Sequence, residues 1–204
     1  MRRILPFILL LVISPLLTAA TLQEKNLLII GDSISAAYGI NPEMGWVKLL
    51  ATKITQAKKP YQVINASISG DTTANGLNRF EPLMDKYKPT IVIIELGGND
   101  GLRGLSIKQM RSNLMKMIEL SQKNNSHIIL AGMKIPPNYG KRYTEAFYKI
   151  YQDLSETYKV DLIPFLLEGI GDNPELMQTD GLHPTVDAQP LIMKRVWEKL
   201  RRIL

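Results

Sequence analysis

The sequence predicts an α/β fold in which a parallel sheet of five strands carries helices on both faces. Three observations carry that expectation. Short runs of Ile, Val and Leu recur along the 204 residues without polar alternation, as strands buried on both faces require. Most runs lead into segments with apolar residues at helical spacing, so strand and helix alternate. Three consecutive runs then break off into Gly, Asp, Ser and Asn, residues that turn a chain where such sheets bind their ligands.

In chain order, Arg2-Arg3, the uncharged apolar run from Ile4 to Leu17 and the small residues Thr18-Ala19-Ala20 read as an export leader cleaved after Ala20. An uncleaved N-terminal anchor is the alternative. Cleavage leaves 21–204 as one domain, periplasmic or secreted. Asn26–Ile30 is the first strand and Trp46 to Lys58 a helix. Gln62–Asn65 is a short second strand, and Leu77 to Tyr87 a helix stopped by Pro89. Thr90–Leu96 is the clearest strand, with a β-branched centre. Ile107 to Lys123 is the longest amphipathic pattern, and His127–Gly132 the fourth strand. Lys134–Lys141 is a loop, Tyr143 to Tyr158 a helix, and Val160–Ile163 the fifth strand, ended by Pro164. A loop to Pro184 precedes a closing helix from Asp187 to Arg202.

Composition excludes several functions. Hydrophobic residues at 45% and charged residues at 22% suit a packed core and not a disordered chain. Cysteine is absent, which removes disulfides, thiol nucleophiles and cysteine metal sites. Two histidines far apart, with no H-E-x-x-H, give no metal site, and no P-loop is present. The net charge is +6, but the cations are scattered among acids, so nucleic acid is not an expected partner.

The strand ends hold the candidate chemistry. The first strand runs into Gly31-Asp32-Ser33, the second into Ala66–Asp71, the third into Gly97-Gly98-Asn99-Asp100, and a late loop carries Asp180-Gly181-Leu182-His183. Acyl transfer needs a hydroxyl nucleophile, a base, an anion to orient the base, and donors for the oxyanion. Ser33 at a strand-to-helix turn fits the nucleophile, His183 the base, and Asp180, three residues earlier, the orienting anion. The Ser33 and Gly70 N–H groups and the Asn99 amide fit the oxyanion donors. His127 opens an apolar strand with no acid nearby in sequence and reads as structural. Each residue also has a structural reading. Ser33 fits a helix N-cap, Gly70, Gly97 and Gly98 fit turns, Asn99 a cap, and Asp180 with His183 a surface pair. Asp32 and Asp100 fit local backbone hydrogen bonding. A non-catalytic module binding an anion or lipid is the rival that these alternatives add up to. The G-x-S-x-G elbow is absent, since Ser35 stands where it needs its second Gly.

The blocks "GDSISAAYG", "NASISGDTT", "IELGGNDGLRG" and "DGLHPTVDAQP", with "PPNYGKRYTEAF" between the last two, resemble in order those of the SGNH (or GDSL) hydrolases. The similarity runs through nearly the whole of 21–204. It implies a flavodoxin-like three-layer α/β/α fold and a serine esterase acting on carboxylic esters and thioesters, among them fatty acyl thioesters, lysophospholipids and aryl esters. It implies Ser33, Asp180 and His183 as catalytic residues, Ser33, Gly70 and Asn99 as the oxyanion hole, and neither metal nor organic cofactor. A carbohydrate-ester deacetylase would use the same machinery. The loop Lys134–Tyr143 is expected to border the acyl site through Ile135, Pro136 and Tyr139. Small-molecule or lipid esters, with transient contact to membrane lipid, are the expected partners of a monomer. The departures are Ile34, where many relatives have Leu, and Ala37, where close ones have Gly; Ala37 is expected at the mouth of the site, where it bears on substrate preference.

Overall fold

The computed structural model describes residues 25–204; the expected leader, residues 1–20, lies outside them. Five strands form one parallel sheet: β1 (Lys25–Gly31), β2 (Tyr61–Asn65), β3 (Ile91–Glu95), β4 (His127–Ala131) and β5 (Asp161–Ile163). Their order is β2-β1-β3-β4-β5. Leu27–Ile30, Val92–Ile94 and Ile129–Ala131 are wholly inaccessible to solvent, which is why their sequences do not alternate. The edge strand β2 is only partly buried and correspondingly polar.

The helices are α1 (Trp46–Gln56), α2 (Thr73–Tyr87), α3 (Gly98–Leu102), α4 (Ile107–Lys123), α5 (Lys141–Tyr158) and α6 (Gln189–Leu200). α1 packs with α6, while α2 packs with α4 and α4 with α5, giving a helical layer on each side of the sheet. This is the expected three-layer α/β/α arrangement. The chain leaves β1 toward β2 and returns on the other side of β1 as β3. Loops after β1 and β3 therefore diverge around a switch point, the place where open α/β sheets leave a crevice at their carboxyl edge.

Two departures from the sequence reading have simple causes. α2 starts four residues before the expected Leu77, because Thr72 caps it with its side chain on the Asn75 N–H, a polar first turn without apolar periodicity. It also runs through Pro82, whose exposed position lets the carbonyl of exposed Asn78 turn to water. The short α3 was not expected, since "GNDGL" reads as a turn. It forms because Asp100 in its first turn is buried and bonded to α2: Thr73 donates through its N–H (2.8 Å) and hydroxyl (2.6 Å). Asp100 thus reaches another helix and not local backbone. Asn113 of α4 donates to the same Thr73 hydroxyl at 3.0 Å, joining three helices. Asp100→Ala leaves buried Thr73 donors unpaired. It should lower unfolding stability by about 3 kcal/mol, read from urea denaturation beside the parent protein.

Candidate active site

After Gly31 the chain does not enter a helix, contrary to the sequence reading of Ser33. Residues 33–39 form successive turns, closed by the Ala36 N–H on Asp32 O (3.0 Å) and the Tyr38 N–H on Ser33 O (3.0 Å). Positive φ at Ala37 (58°) and Gly39 (76°) stops any helix from propagating, so α1 begins only at Trp46. Ser33 has no helix to cap. Its Oγ lies 2.9 Å from His183 Nε2, across 150 residues of sequence.

His183 is held by its own loop. Asp180 Oδ1 accepts the N–H groups of Leu182 (2.9 Å) and His183 (3.0 Å), and Asp180 Oδ2 lies 2.6 Å from His183 Nδ1. Partial burial works to raise the Asp180 pKa. The His183 ring, the two N–H groups and the His183 charge outweigh it and bring the pKa down to about 2. An ionised Asp180 fixes the proton on Nδ1 and leaves Nε2 to accept from the Ser33 hydroxyl. The loop is anchored to the Ser33 turn by two residues that the sequence reading missed. Gln178 donates from Nε2 to Tyr38 O (2.9 Å) and Pro184 O (3.0 Å), and the Tyr38 ring sits 4.5 Å from the His183 ring. Tyr38 lies inside the "GDSISAAYG" block and was open to notice. Gln178 bonds only backbone carbonyls, for which the sequence carries no sign.

Asn99 stands at the start of α3. Its Nδ2 donates to Asp71 O (3.0 Å) and Asp32 Oδ2 (3.3 Å). Gly97 before it has φ 119°, and a Cβ there would come within 2.2 Å of the Tyr151 hydroxyl, which donates to Leu96 O. Only glycine fits that corner. Gly70 has φ 84°, and its carbonyl accepts from Arg103 (2.9 Å). Among the described residues, neither the Ser33 nor the Gly70 N–H donates to a protein acceptor. Asp32 Oδ1 accepts the Ile34 N–H (3.1 Å), as expected. Burial pushes Asp32 up to about 6, against the opposing pull of the Ile34 N–H, His183, Asn99 and Glu95. His127, read as structural, pairs with Asp161 of the neighbouring strand at 2.8 Å.

Ser33, Asn99, His183, Ile135 and Pro136 line one cleft of about 520 Å³. Its apolar wall is completed by Leu102, the last residue of α3, and by Met133, Phe165, Leu167 and Met177 in the loops after β4 and β5, none of them singled out from sequence. Gly70 does not line this cleft. Tyr139 does not line it either, contrary to expectation: its hydroxyl donates to Leu102 O (2.8 Å) and its ring borders a separate shallow depression with Ile107 and Tyr143. Ala37 is also displaced from its expected place. It is buried against Gly45 and is not among the residues that line the cleft, and its φ of 58° puts a left-handed residue in the turn. A second hollow of about 630 Å³ between the end of β5 and α6 shares Phe165, Glu168 and Gly169 with the cleft but holds neither Ser33 nor His183.

A hydroxyl, an imidazole and a carboxylate linked in series at the carboxyl edge of a parallel sheet, opening on an apolar cleft, are the arrangement of an ester hydrolase. The chain belongs to the GDSL-like Lipase/Acylhydrolase family, whose model matches residues 29–189. It is 46% identical to Esterase TesA of Pseudomonas aeruginosa over 180 residues, 88% of this chain and 90% of that one. To the Arylesterase of Vibrio mimicus it is 46% identical over 184 residues, 90% and 92% of the two chains. To the Thioesterase 1/protease 1/lysophospholipase L1 of Escherichia coli strain K12 it is 40% identical over 200 residues, 98% and 93% of the two chains. Among solved structures, that of TesA superposes with a TM-score of 0.86 at 46% identity, covering 88% of this chain and 100% of the other. The psychrotrophic esterase EstA from Pseudoalteromonas sp., inhibited by monoethylphosphonate, gives 0.84 at 42% identity, covering 88% and 98%. The protein is a hydrolase acting on ester bonds.

The lowered Asp180 pKa gives a signed expectation. A depressed carboxylate stabilises the fold above its unfolded pKa near 4 and loses that contribution as pH falls toward about 2. The Tm difference between parent and Asp180→Asn should therefore hold from neutral pH to about pH 4 and shrink below it, as followed by thermal melts across acid pH.

Proposed function

We propose that the protein is a serine esterase that passes through an acyl-enzyme on Ser33, with His183 as general base and acid and Asp180 orienting the imidazole. The observation that carries this reading is the continuous chain from Ser33 Oγ to His183 (2.9 Å) to Asp180 (2.6 Å) at the mouth of an apolar cleft. His183 Nε2 takes the Ser33 proton as Oγ attacks the ester carbonyl carbon. The carbonyl oxygen becomes an oxyanion against the Ser33 N–H and the Asn99 amide, and the Gly70 N–H, outside the cleft's lining but on the loop that Asn99 bonds at Asp71 O, is the third donor. Of the two Asn99 contacts, the 3.3 Å one to Asp32 is the weaker, and it is the N–H that can be given to the oxyanion. His183 then protonates the departing alcohol or thiol. Water, activated by the same imidazole, releases the acid and restores Ser33.

The apolar wall of Leu102, Met133, Ile135, Phe165 and Leu167 supports a fatty acyl chain as the bound part of the substrate. Thioesters, lysophospholipids and aryl esters all offer an acyl carbonyl to this geometry, and relatives are named for such activities. An acetylated sugar would leave that wall unused, which sets the deacetylase reading second. The basic start, apolar run and small residues before Thr21 support export to the periplasm or beyond, where lipid esters are more accessible than cytosolic thioesters. The enzyme works there as a monomer that meets its lipid transiently.

Hydrolysis of a chain-length series of p-nitrophenyl esters, with palmitoyl-CoA and a lysophospholipid alongside, tests the reading. Ser33→Ala should lose on the order of 10⁴-fold or more in kcat, and Asn99→Ala roughly 10²–10³-fold, both with unchanged circular dichroism. A folded Ser33→Ala enzyme with parental turnover would remove Ser33 from the chemistry.

A further inference from the structure

β3 pairs with β1 so that Glu95 stands opposite Gly31, the residue that opens the Ser33 turn. The Glu95 side chain crosses beneath that turn. Its Oε2 accepts the Asp32 N–H at 3.2 Å and the Ser35 hydroxyl at 2.6 Å, gripping the backbone on one side of Ser33 and a side chain on the other. The crossing exists because Gly31 has no side chain: a Cβ there would lie 2.5 Å from Glu95 Oε2.

Glu95 has no solvent exposure, and its second oxygen, Oε1, is buried without a hydrogen-bond partner. An ionised Glu95 would hold a charge on two donors, with one bare oxygen and a second buried carboxyl, Asp32, beside it. The neutral acid avoids most of that cost. Burial first, and then the Asp32 charge, accordingly drive the Glu95 pKa well above the ordinary carboxylate range. The other titratable groups in this buried region are Asp100 and the Tyr151 hydroxyl, which is committed to Leu96 O, with His183 acting on Asp32 from the cleft. None supplies Glu95 with a cation.

We propose that Glu95 is a positioning residue of the reaction, a neutral acid that clamps the turn on both sides of Ser33 and so sets the hydroxyl against His183. The inference rests on the reading of Ser33 as nucleophile. Glu95 touches neither substrate nor the reacting atoms and acts only through the turn. Its neutrality also leaves Asp32 as the one carboxyl of the pair that can ionise next to Asn99 and His183.

The test compares Glu95→Gln, Glu95→Leu, Ser35→Ala and Ser33→Ala with the parent on one p-nitrophenyl ester, together with Tm from pH 4.5 to 9. Gln is neutral and keeps an acceptor for both donors. It should keep kcat within about fivefold, while Leu, which lets the turn shift, should lose about 10²-fold in kcat with KM within about twofold. A group whose pKa is raised on folding stabilises fully below its unfolded value and loses that contribution as pH rises toward the folded one. Glu95→Gln should therefore show a smaller fall in Tm with rising pH than the parent, which reads the neutral form; the loss in kcat at constant KM in Glu95→Leu reads the positioning. If Glu95→Leu fails to fold, Ser35→Ala decides in its place, with an expected loss of about tenfold in kcat at unchanged KM. A Glu95→Gln enzyme with kcat reduced about 10²-fold or with the parental Tm slope overturns the proposal. So does a folded Glu95→Leu or Ser35→Ala enzyme with parental kcat. Those results beside an inactive Ser33→Ala overturn this inference alone; an active Ser33→Ala overturns it together with the esterase reading.

Discussion

The hydrogen bond between Ser33 and His183 spans 150 residues, and the arrangement of the rest of the molecule follows from keeping it short. One partner leaves the first strand, and the other lies just before the last helix. The two can meet only if the sheet, its crossovers and the late loop all end at one edge. The strand order meets that need, because the chain leaves β1 in one direction and returns past it as β3, opening a crevice where both loops diverge. The sheet alone does not fix the distance. Gln178 ties the late loop to the Tyr38 carbonyl, and Asp180 folds that loop on itself by accepting two of its N–H groups. The imidazole therefore arrives already oriented, which is the condition for rate enhancement by placement.

Three carboxyl groups near the site show how environment divides the work. Asp180 is partly exposed and accepts hydrogen bonds from a ring and two backbone N–H groups, so it stays charged. Asp32 is buried, which raises its pKa to about 6, but the Ile34 N–H and the Asn99 amide oppose the rise. Glu95 has no exposure at all and keeps one oxygen without a partner, which favours its neutral form. The same chemical group thus spans the range from fixed anion to neutral acid over a short stretch of structure. Hydrogen-bond count and solvent access decide each case more than the identity of Asp or Glu.

Much of this was readable from the sequence because it is local. The β-branched run "IVII" can only be a strand when no residue in it tolerates water, and the turn residues after each strand mark the edge where a site would form. Ser33, Asn99, Asp180 and His183 stand out in the sequence by residue type and position, and the structure brings them to one edge of the sheet. Contacts between distant segments left no such mark. Tyr139 sits in the same loop as Ile135 and was grouped with it, but its hydroxyl finds the Leu102 carbonyl and turns the ring away from the cleft. The sequence places Ser33 at a strand-to-helix turn, and only the positive φ at Ala37 and Gly39 shows that no helix starts there.

Glu95 shows where sequence reading reaches its end. In "IVIIEL" it looks like the polar last residue of a strand, the place where a side chain usually turns to solvent. Its burial depends on a fact about another strand, that residue 31 is glycine and leaves room for a carboxyl group beneath the turn. Any larger residue at 31 would expel the Glu95 carboxyl and release the Asp32 N–H and the Ser35 hydroxyl from their common acceptor. The glycine that opens the "GDS" block therefore does more than turn the chain. It admits the group that holds the turn still, so Gly31 and Glu95 form one unit although sixty-four positions separate them.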